Sequence, residues 1–243
     1  MSPRINIQHS NHNCPKIRYE QCYAKTTPDG SPGLTVYEHC VAVGEIGRVL
    51  VNYLPASLKQ IIRQDSGIVA ALHDVGKVSP GFQLKYFRNN LSLVCPALAD
   101  YVNSFETNHA RISEAAICQR LYVDTCDDPL AKYARIVGFH HGRRQEAPTT
   151  DTGEIYGGPS WSRERQRLIQ TFESKFGPLS ISDLPDWQLD LLAGLVCVAD
   201  WIGSDESFFP PEGLPAGANI CALAKQAVTG CGWRRKPFNK HSA

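Results

Sequence analysis

Five histidines and two aspartates have side chains that could bind metal ions together. They are His39, His73, Asp74, His109, His140, His141 and Asp200. Neutral imidazole with carboxylate suits Zn, Fe, Mn, Ni or Co, whereas Mg and Ca sites consist mostly of oxygen ligands. Seven ligands are too many for one ion and suit two ions, each of which keeps a place for water. The set therefore predicts a centre with two transition-metal ions.

The stretch "ALHDVGKVSPGFQ", residues 71–83, places a histidine and an aspartate side by side where an apolar helical pattern ends. Adjacent residues of a helix diverge by about 100° around its axis. His73 can therefore serve one ion while Asp74 reaches between two ions. For the same reason, the neighbours His140 and His141 can approach the centre from different sides.

Asp200 interrupts the apolar run "LLAGLVCVADWIG" at residues 191–203. A carboxylate in a buried helix is costly unless it is paired or bound to a metal, and otherwise it takes up a proton. Taken singly, Asp200 could be such a protonated acid, and each histidine could be a core or helix-capping residue. Only the whole set favours metal binding.

Helical patterns dominate the elements that must position these side chains. "TVYE" at residues 35–38 fits a capping box, and apolar residues continue at helical spacing as far as Leu50. Convincing β-alternation is almost absent, so we expect an all-α fold. Further helices are predicted at about 56–64, 66–75, 80–88, 94–105, 109–123, 129–141, 160–176, 186–203 and 218–229.

Capping residues and glycines mark the ends of these helices. Asn108 is a predicted N-cap, and Gly142, Gly177 and Gly230 stand where the glycine after a helix is expected. The stretch 142–160 is predicted to be one long loop. We expect an irregular N-terminal segment at 1–33, one domain at 34–230, and a tail at 231–243 that leads towards a linker.

Composition restricts the class of protein. The net charge of the 243 residues is +1, so any contact with nucleic acid must use a local patch. The nine cysteines are scattered, and no C-x-x-C motif occurs among them. The N-terminus lacks a secretory signal, and no apolar run is long enough to span a membrane. We therefore expect a soluble cytoplasmic protein that has no membrane partner.

The order of four ligands resembles a known superfamily. His39, then His73 with Asp74, then Asp200 matches the H…HD…D signature of the HD phosphohydrolases. The resemblance implies a helical bundle that surrounds a metal site.

Additional residues make the resemblance more specific. His109, the pair His140-His141 and the strings "HDVGKVSPGFQ" and "ADWIGSD" are similar to the CRISPR-associated HD nuclease, the nuclease domain of the type I helicase-nuclease. The similarity covers about residues 35–205, and "GWRRKPF" at 232–238 resembles the join to the helicase. A phosphate-loop motif is missing, so this chain is not the helicase itself and is either a separate subunit or an excised domain.

The resemblance also implies a ligand assignment and an activity. The expected activity is hydrolysis of phosphodiester bonds in single-stranded DNA during type I CRISPR interference, as an endonuclease or an exonuclease. The expected cofactors are two ions of Fe, Mn, Ni or Co rather than Mg, and two such ions can activate water between them. The expected partners are single-stranded DNA, a helicase domain or subunit, and the CRISPR surveillance complex. One ion would be bound by His39, His73, Asp74 and Asp200, and the other by Asp74, His109, His140 and His141.

Two polar residues near the predicted ligands are candidates for contacts with substrate. Lys77 stands three residues after Asp74 and could contact the phosphate under attack, steady Asp74, or simply end a helix. Ser204 could bind a phosphate oxygen or cap a helix.

The predicted loop supplies a second group of candidates. The arginines that bracket this loop could guide a DNA strand, or they could be an ordinary solvated face. Tyr156 and Trp161 could stack on bases or fix the loop. The arginines are Arg143, Arg144, Arg163, Arg165 and Arg167.

Two alternative functions stay open at this point. An HD enzyme that acts on a nucleotide or cyclic nucleotide would use the same metals. A non-catalytic module would bind metal only for structure and dock a partner. A nucleotide panel and the effect of Asp74→Ala on turnover distinguish these alternatives from a nuclease.

Overall fold

Helices form the scaffold of the protein. The computed structural model describes residues 17–62, 66–87, 105–125, 128, 130–141, 150–179 and 185–233. Apart from two isolated β-bridges, the regular structure in these ranges is helical, which confirms the predicted all-α fold. None of the described helices has both the length and the apolar character needed to cross a membrane. The helices are α1 (Val36–Val51), α2 (Ala56–Ile62), α3 (Ser66–Leu72), α4 (Pro80–Phe87), α5 (His109–Arg120), α6 (Ala131–Gly138), α7 (Gly158–Phe176), α8 (Asp186–Gly203) and α9 (Ile220–Gly230), with 3-10 turns at Tyr19–Gln21, Val75–Lys77 and Glu154–Tyr156.

Helix α1 is the central element of the bundle. Its capping box is formed as predicted, because the Thr35 hydroxyl accepts the Glu38 N–H and the Glu38 carboxylate accepts the Thr35 N–H. The helix packs against α3, α8 and α9, and most of its residues are buried. A Cβ at Gly47 would lie 2.7 Å from the Ser66 carbonyl oxygen, so glycine allows α1 and α3 to approach closely.

Helix α5 ends at Arg120 rather than at residue 123, and the two helices that precede predicted histidine ligands also end earlier than the sequence predicts. Helix α3 ends at Leu72 rather than at residue 75, since the Gly76 N–H donates to the Ser113 hydroxyl of α5 (2.8 Å) instead of continuing the helix. Helix α6 ends at Gly138 rather than at residue 141, with the Phe139 N–H bonded to the Arg135 carbonyl. In both cases the predicted metal-binding histidines lie just beyond the helix instead of in its last turn.

Two of the four predicted helix caps at Asn108, Gly142, Gly177 and Gly230 are confirmed. The Asn108 side chain accepts the Arg111 N–H at the start of α5, and Gly177 follows α7 with a φ of 96°. Gly230 is instead the last residue of α9, and the positive φ of 87° belongs to Gly232, so that prediction was wrong by two residues. Gly142 lies outside the described residues.

The loop predicted at 142–160 is shorter where the structure describes it. Helix α7 begins at Gly158, and the 3-10 turn Glu154–Tyr156 precedes it directly. Residues 142–149, with Arg143 and Arg144, lie outside the described residues, as does most of the helix predicted at 94–105.

The N-terminal segment folds back on itself next to the bundle. Antiparallel bridges pair Tyr23 with Thr35 and Thr26 with Pro32. The N–H groups of Ala24 and Lys25 both donate to the Leu34 carbonyl, at 2.8 and 3.3 Å. We call residues 23–35 the N-terminal hairpin; outside its two bridges, this stretch has no regular secondary structure.

Candidate metal centre

Five parts of the chain bring the seven predicted ligands to one place. The two groups of side chains with metal-ligand spacing in the described residues contain all seven and no other residue. His39 lies in the first turns of α1, His73 and Asp74 follow α3, His109 begins α5, His140 and His141 follow α6, and Asp200 lies in the last turn of α8.

The first group contains His39, His73, Asp74 and Asp200, whose ligand atoms all lie within 4.8 Å of one another. The Nε2 atoms of both histidines lie 3.2 Å from Asp74 Oδ2. They lie 3.4 and 3.3 Å from Asp200 Oδ1. Two imidazoles and two carboxylates thus surround one small volume.

The second group contains His109, His140 and His141. Their connection to the first group is the other oxygen of Asp74, since Oδ1 lies 3.2 Å from His109 Nε2 and 3.5 Å from His140 Nε2. The Nε2 atoms of His141 and His109 lie 2.8 Å apart. Asp74 therefore directs one carboxylate oxygen into each group.

Local hydrogen bonds orient two of the imidazoles. His73 Nδ1 lies 2.8 Å from the Ala70 carbonyl, and His140 Nδ1 lies 2.6 Å from the Val137 carbonyl. A carbonyl accepts only from a protonated nitrogen, so Nδ1 carries the proton and the lone pair of neutral imidazole lies on Nε2. Metal-binding histidines commonly use this arrangement.

Several atoms at the centre are buried without a hydrogen-bond partner. They include Nε2 of His39, His73 and His140 and Oδ1 of Asp74. Leaving such atoms buried and unsatisfied is costly. Because these atoms converge, a divalent cation would satisfy them together, and the donor set fits a transition metal.

The electrostatics of the two groups differ. Burial alone would lower the pKa of His73, but the charges of Asp74 and Asp200 raise it to about 10. Burial, together with the charges of His140 and His109, lowers the pKa of His141 to about 4. The two carboxylates of the first group thus favour the protonated form of His73, whereas burial favours the neutral form of His141.

Burial would raise the pKa of Asp74, but the positive charges of His73 and Lys77 hold it well below its usual value. Lys77 Nζ lies 2.6 Å from Asp74 Oδ2 and 5.3 Å from the centre of the Phe82 ring. Of the contacts expected for Lys77, the structure contains the one with Asp74.

Ser204 is the C-cap residue of α8. Its N–H donates to the Asp200 carbonyl at 2.8 Å, and its hydroxyl lies 3.3 Å from Asp200 Oδ1. Its capping role is therefore present, and the exposed hydroxyl lies next to the first group of ligands.

Three residues proposed for a DNA surface are buried instead. Arg165 is fully buried, and Tyr156 and Trp161 are 2% and 4% exposed, so they fix the chain before α7 and cannot contact a strand. Arg163 and Arg167 are exposed. Arg167 pairs with Glu164.

An exposed aromatic residue that is the chain neighbour of a candidate ligand was not singled out from the sequence. Trp201 follows Asp200 directly and is 72% exposed. The available signal was its position next to a predicted ligand in "ADWIG", where the helical turn of about 100° carries the next residue to another face.

Comparisons with known proteins identify the family of this chain. The family described as "Cas3, HD domain" matches residues 23–209. The CRISPR-associated nuclease/helicase Cas3 of Streptococcus thermophilus is 23% identical over 209 residues, which are 72% of this chain and 22% of that protein. The chain thus spans about a fifth of this relative.

Solved structures share the fold. A CRISPR-associated protein has a TM-score of 0.67 at 24% identity, covering 91% of this chain and 28% of its own. The Thermus thermophilus cas3 HD domain, solved in the presence of Ni2+, has a TM-score of 0.60 at 18% identity, and the match covers 87% of this chain and 90% of that one. T. fusca Cas3 with AMPPNP has a TM-score of 0.59 at 20% identity, and the match covers 86% of this chain and 25% of that one.

Proposed function

Because this chain belongs to the Cas3 HD domain family, we propose that it is a metal-dependent nuclease that hydrolyses phosphodiester bonds of single-stranded DNA in type I CRISPR interference. The observation that carries this proposal is the position of Asp74. Its Oδ2 faces the histidines of the first group and its Oδ1 faces those of the second. A single carboxylate between two sets of imidazoles is suited to bridge two cations.

The proposed ligand assignment follows the two groups. Ions of Fe, Mn, Ni or Co suit these nitrogen and oxygen donors better than Mg. When bound, such ions would supply Lewis-acid stabilisation of the phosphate and a lowered pKa for the attacking water. The first ion would be bound by His39, His73, Asp74 and Asp200, and the second by Asp74, His109, His140 and His141.

The remaining residues of the site act on the ligands and on the substrate. Lys77 neutralises part of the charge on Asp74 and holds its carboxylate in position through the 2.6 Å contact. The two other N–H groups of its ammonium can then donate hydrogen bonds to a phosphate oxygen. The Ser204 hydroxyl, which lies 3.3 Å from Asp200, is a second candidate for a phosphate contact. Arg143 and Arg144 stay candidates for binding the strand.

Single-stranded DNA is the substrate we favour. Bases of a single strand stack on exposed aromatic rings, and each such contact contributes about 1–3 kcal/mol. Trp201 offers such a ring next to Asp200. A helicase and the CRISPR surveillance complex are the proposed partners, in the cytoplasm of a prokaryote. The nuclease/helicase relative, of which this chain spans 22%, supports the helicase.

The decisive experiment is cleavage of circular single-stranded DNA. Metal-stripped protein is supplied separately with Mn, Co, Ni, Fe and Mg, and Asp200→Asn is compared with Asp190→Asn. Asp190 is an exposed acid of the same helix, so its variant controls for the change of charge. We expect linear and then degraded DNA with a transition metal, unchanged in Asp190→Asn and lost in Asp200→Asn.

Other outcomes would redirect the proposal. Cleavage of linear but not circular DNA would establish an exonuclease. Intact DNA with every metal, together with turnover in a parallel panel of nucleotides and cyclic nucleotides, would replace the nuclease by a small-molecule phosphohydrolase. Metal binding without turnover of any substrate would favour the non-catalytic module.

A further inference from the structure

Lys25 of the N-terminal hairpin lies at the edge of the metal centre. Its Nζ donates to the Ser204 carbonyl at 3.1 Å. Ser204 caps α8 and is hydrogen-bonded to Asp200 through its own N–H at 2.8 Å. The ammonium group is thus attached to the same helix end that carries a predicted metal ligand.

The hairpin holds Lys25 by its backbone. The Lys25 N–H donates to the Leu34 carbonyl at 3.3 Å, and its carbonyl accepts the Gly33 N–H at 3.0 Å. A Cβ at Gly33 would lie 2.2 Å from the Pro211 carbonyl oxygen, so this strand packs directly on the segment that follows α8. The position of Lys25 is therefore fixed by the fold and not by its flexible side chain alone.

The hairpin is also tied to the turn that carries Lys77. The buried Gln83 side chain accepts the Tyr23 N–H and donates to the Tyr23 carbonyl, both at 3.0 Å. The same amide donates to the Lys77 carbonyl at 2.8 Å. Lys25 thus stands between the turn that carries Lys77 and the helix end that carries Asp200.

The charge of Lys25 is not consumed by an ion pair. Among the described residues, the hydrogen-bond or ion-pair partner of its ammonium group is the Ser204 carbonyl alone. Burial lowers its pKa and the charge of Lys77 lowers it further, whereas Glu206, Asp200 and Asp205 raise it from a distance. Lys77, by contrast, is engaged by Asp74 at 2.6 Å. An ammonium group has three donors, so two donors of Lys25 are available to an anion.

We propose that Lys25 binds a phosphate group of the substrate next to the phosphate that is hydrolysed. This inference rests on the proposed nuclease function. A half-buried cation without an acidic partner, fixed beside a metal centre, is suited to bind the neighbouring anion of a polyanionic strand. The hairpin would then be a wall of the substrate channel, and Lys25 a contact that orients the strand.

Binding and cleavage are measured with three variants. Lys25→Gln removes the charge and keeps the length, Lys25→Arg keeps the charge, and Lys225→Gln removes an exposed charge from α9. Binding of a fluorescein-labelled oligothymidylate to metal-stripped protein is followed by anisotropy at several salt concentrations. Cleavage of single-stranded DNA is measured with metal-loaded protein, and thermal unfolding reports the fold of each variant.

We expect Lys25→Gln to weaken oligothymidylate binding and to reduce the slope of log Kd against log salt concentration by about 0.7, the value of one phosphate contact on a single strand. Lys25→Gln should also raise KM more than it lowers kcat. Lys25→Arg should retain the wild-type slope, and Lys225→Gln should change neither slope nor KM.

The two proposals fail in different ways. If the wild-type protein cleaves DNA and Lys25→Gln has the slope and KM of Lys225→Gln, the Lys25 contact is overturned and the nuclease stands. If Lys25→Gln and Lys25→Arg are equally impaired and equally less stable, Lys25 only holds the hairpin, which also overturns the contact. If the wild-type protein cleaves no nucleic acid but Lys25→Gln reduces the slope, Lys25 contacts a phosphate of the strand, whereas the nuclease, and with it the place of that contact beside a hydrolysed phosphate, is overturned.

Discussion

Arg165 is expected to be one of the most sensitive positions of the fold. Its guanidinium is fully buried and bonds to the Asp151 carboxylate at 2.6 Å, the Asp151 carbonyl at 2.8 Å and the Val78 carbonyl at 2.8 Å. Arg165→Met leaves the buried Asp151 carboxylate without its cation, and removing one partner of a buried pair costs about 3–5 kcal/mol. At about 2–4 °C per kcal/mol for a chain of this size, the melting temperature should fall by about 6–20 °C.

A matched control lies two residues further along α7. Arg167 also pairs with a carboxylate, that of Glu164 at 2.8 Å, but its side chain is 44% exposed. Water screens such a pair, so Arg167→Met should lower the melting temperature by far less than Arg165→Met. Adding Asp151→Asn to Arg165→Met should recover part of the loss, because no uncompensated charge is left buried.

Guanidinium unfolding followed by circular dichroism measures these differences, with calorimetry for the melting temperatures. Equal unfolding midpoints for Arg165→Met and Arg167→Met would refute the reasoning, since burial would then not determine how much an ion pair contributes to the free energy of unfolding. Failure of Asp151→Asn to recover any stability would refute it too, since the loss would then not come from the unpaired carboxylate.

Gly76→Ala would place a Cβ 2.0 Å from the carbonyl oxygen of the first residue of α5, so it should reduce the metal content per chain measured by mass spectrometry. Gly194→Ala, which meets no atom within 4 Å, should not reduce it, and equal metal content in both variants would contradict this prediction. Chelation should lower the melting temperature, since a ligand at 100 times its Kd stabilises the folded state by about 2.7 kcal/mol; an unchanged melting temperature would count against a resident metal. Ellman's reagent should modify the exposed Cys221 and Cys231 rapidly. Cys40, whose pKa burial raises well above its usual value, should react only on unfolding, and early labelling of Cys40 in a peptide map would contradict its burial.

The helical architecture could be predicted because its signals are local. The Thr35–Glu38 capping box, the Asn108 cap and the glycine at 177 each follow from a few neighbouring residues, and the structure forms all three. That the seven candidate ligands form one site could be predicted only from the type and order of these residues together with a family resemblance. Their distances from one another, by contrast, follow only from the three-dimensional fold.

Features that depend on distant contacts could not be predicted. The end of α3 is set by a bond from Gly76 to Ser113, which is 37 residues away in the chain. The burial of Arg165 depends on Asp151 and Val78, so its charge gave the opposite expectation of a solvated face. The contact of Lys25 with Ser204 spans 179 residues. No local pattern contains information about such pairs.

The distribution of the candidate ligands along the chain also has a consequence for biosynthesis. The first group begins at His39 and is completed by Asp200, while the histidines of the second lie between residues 109 and 141. During translation, a ribosome must therefore release the last turn of α8 from its exit tunnel before the first group can close around a cation. A truncated or stalled product that stops before α8 lacks one of the four donors, and an incomplete polypeptide is thereby kept from acquiring a full complement of metal.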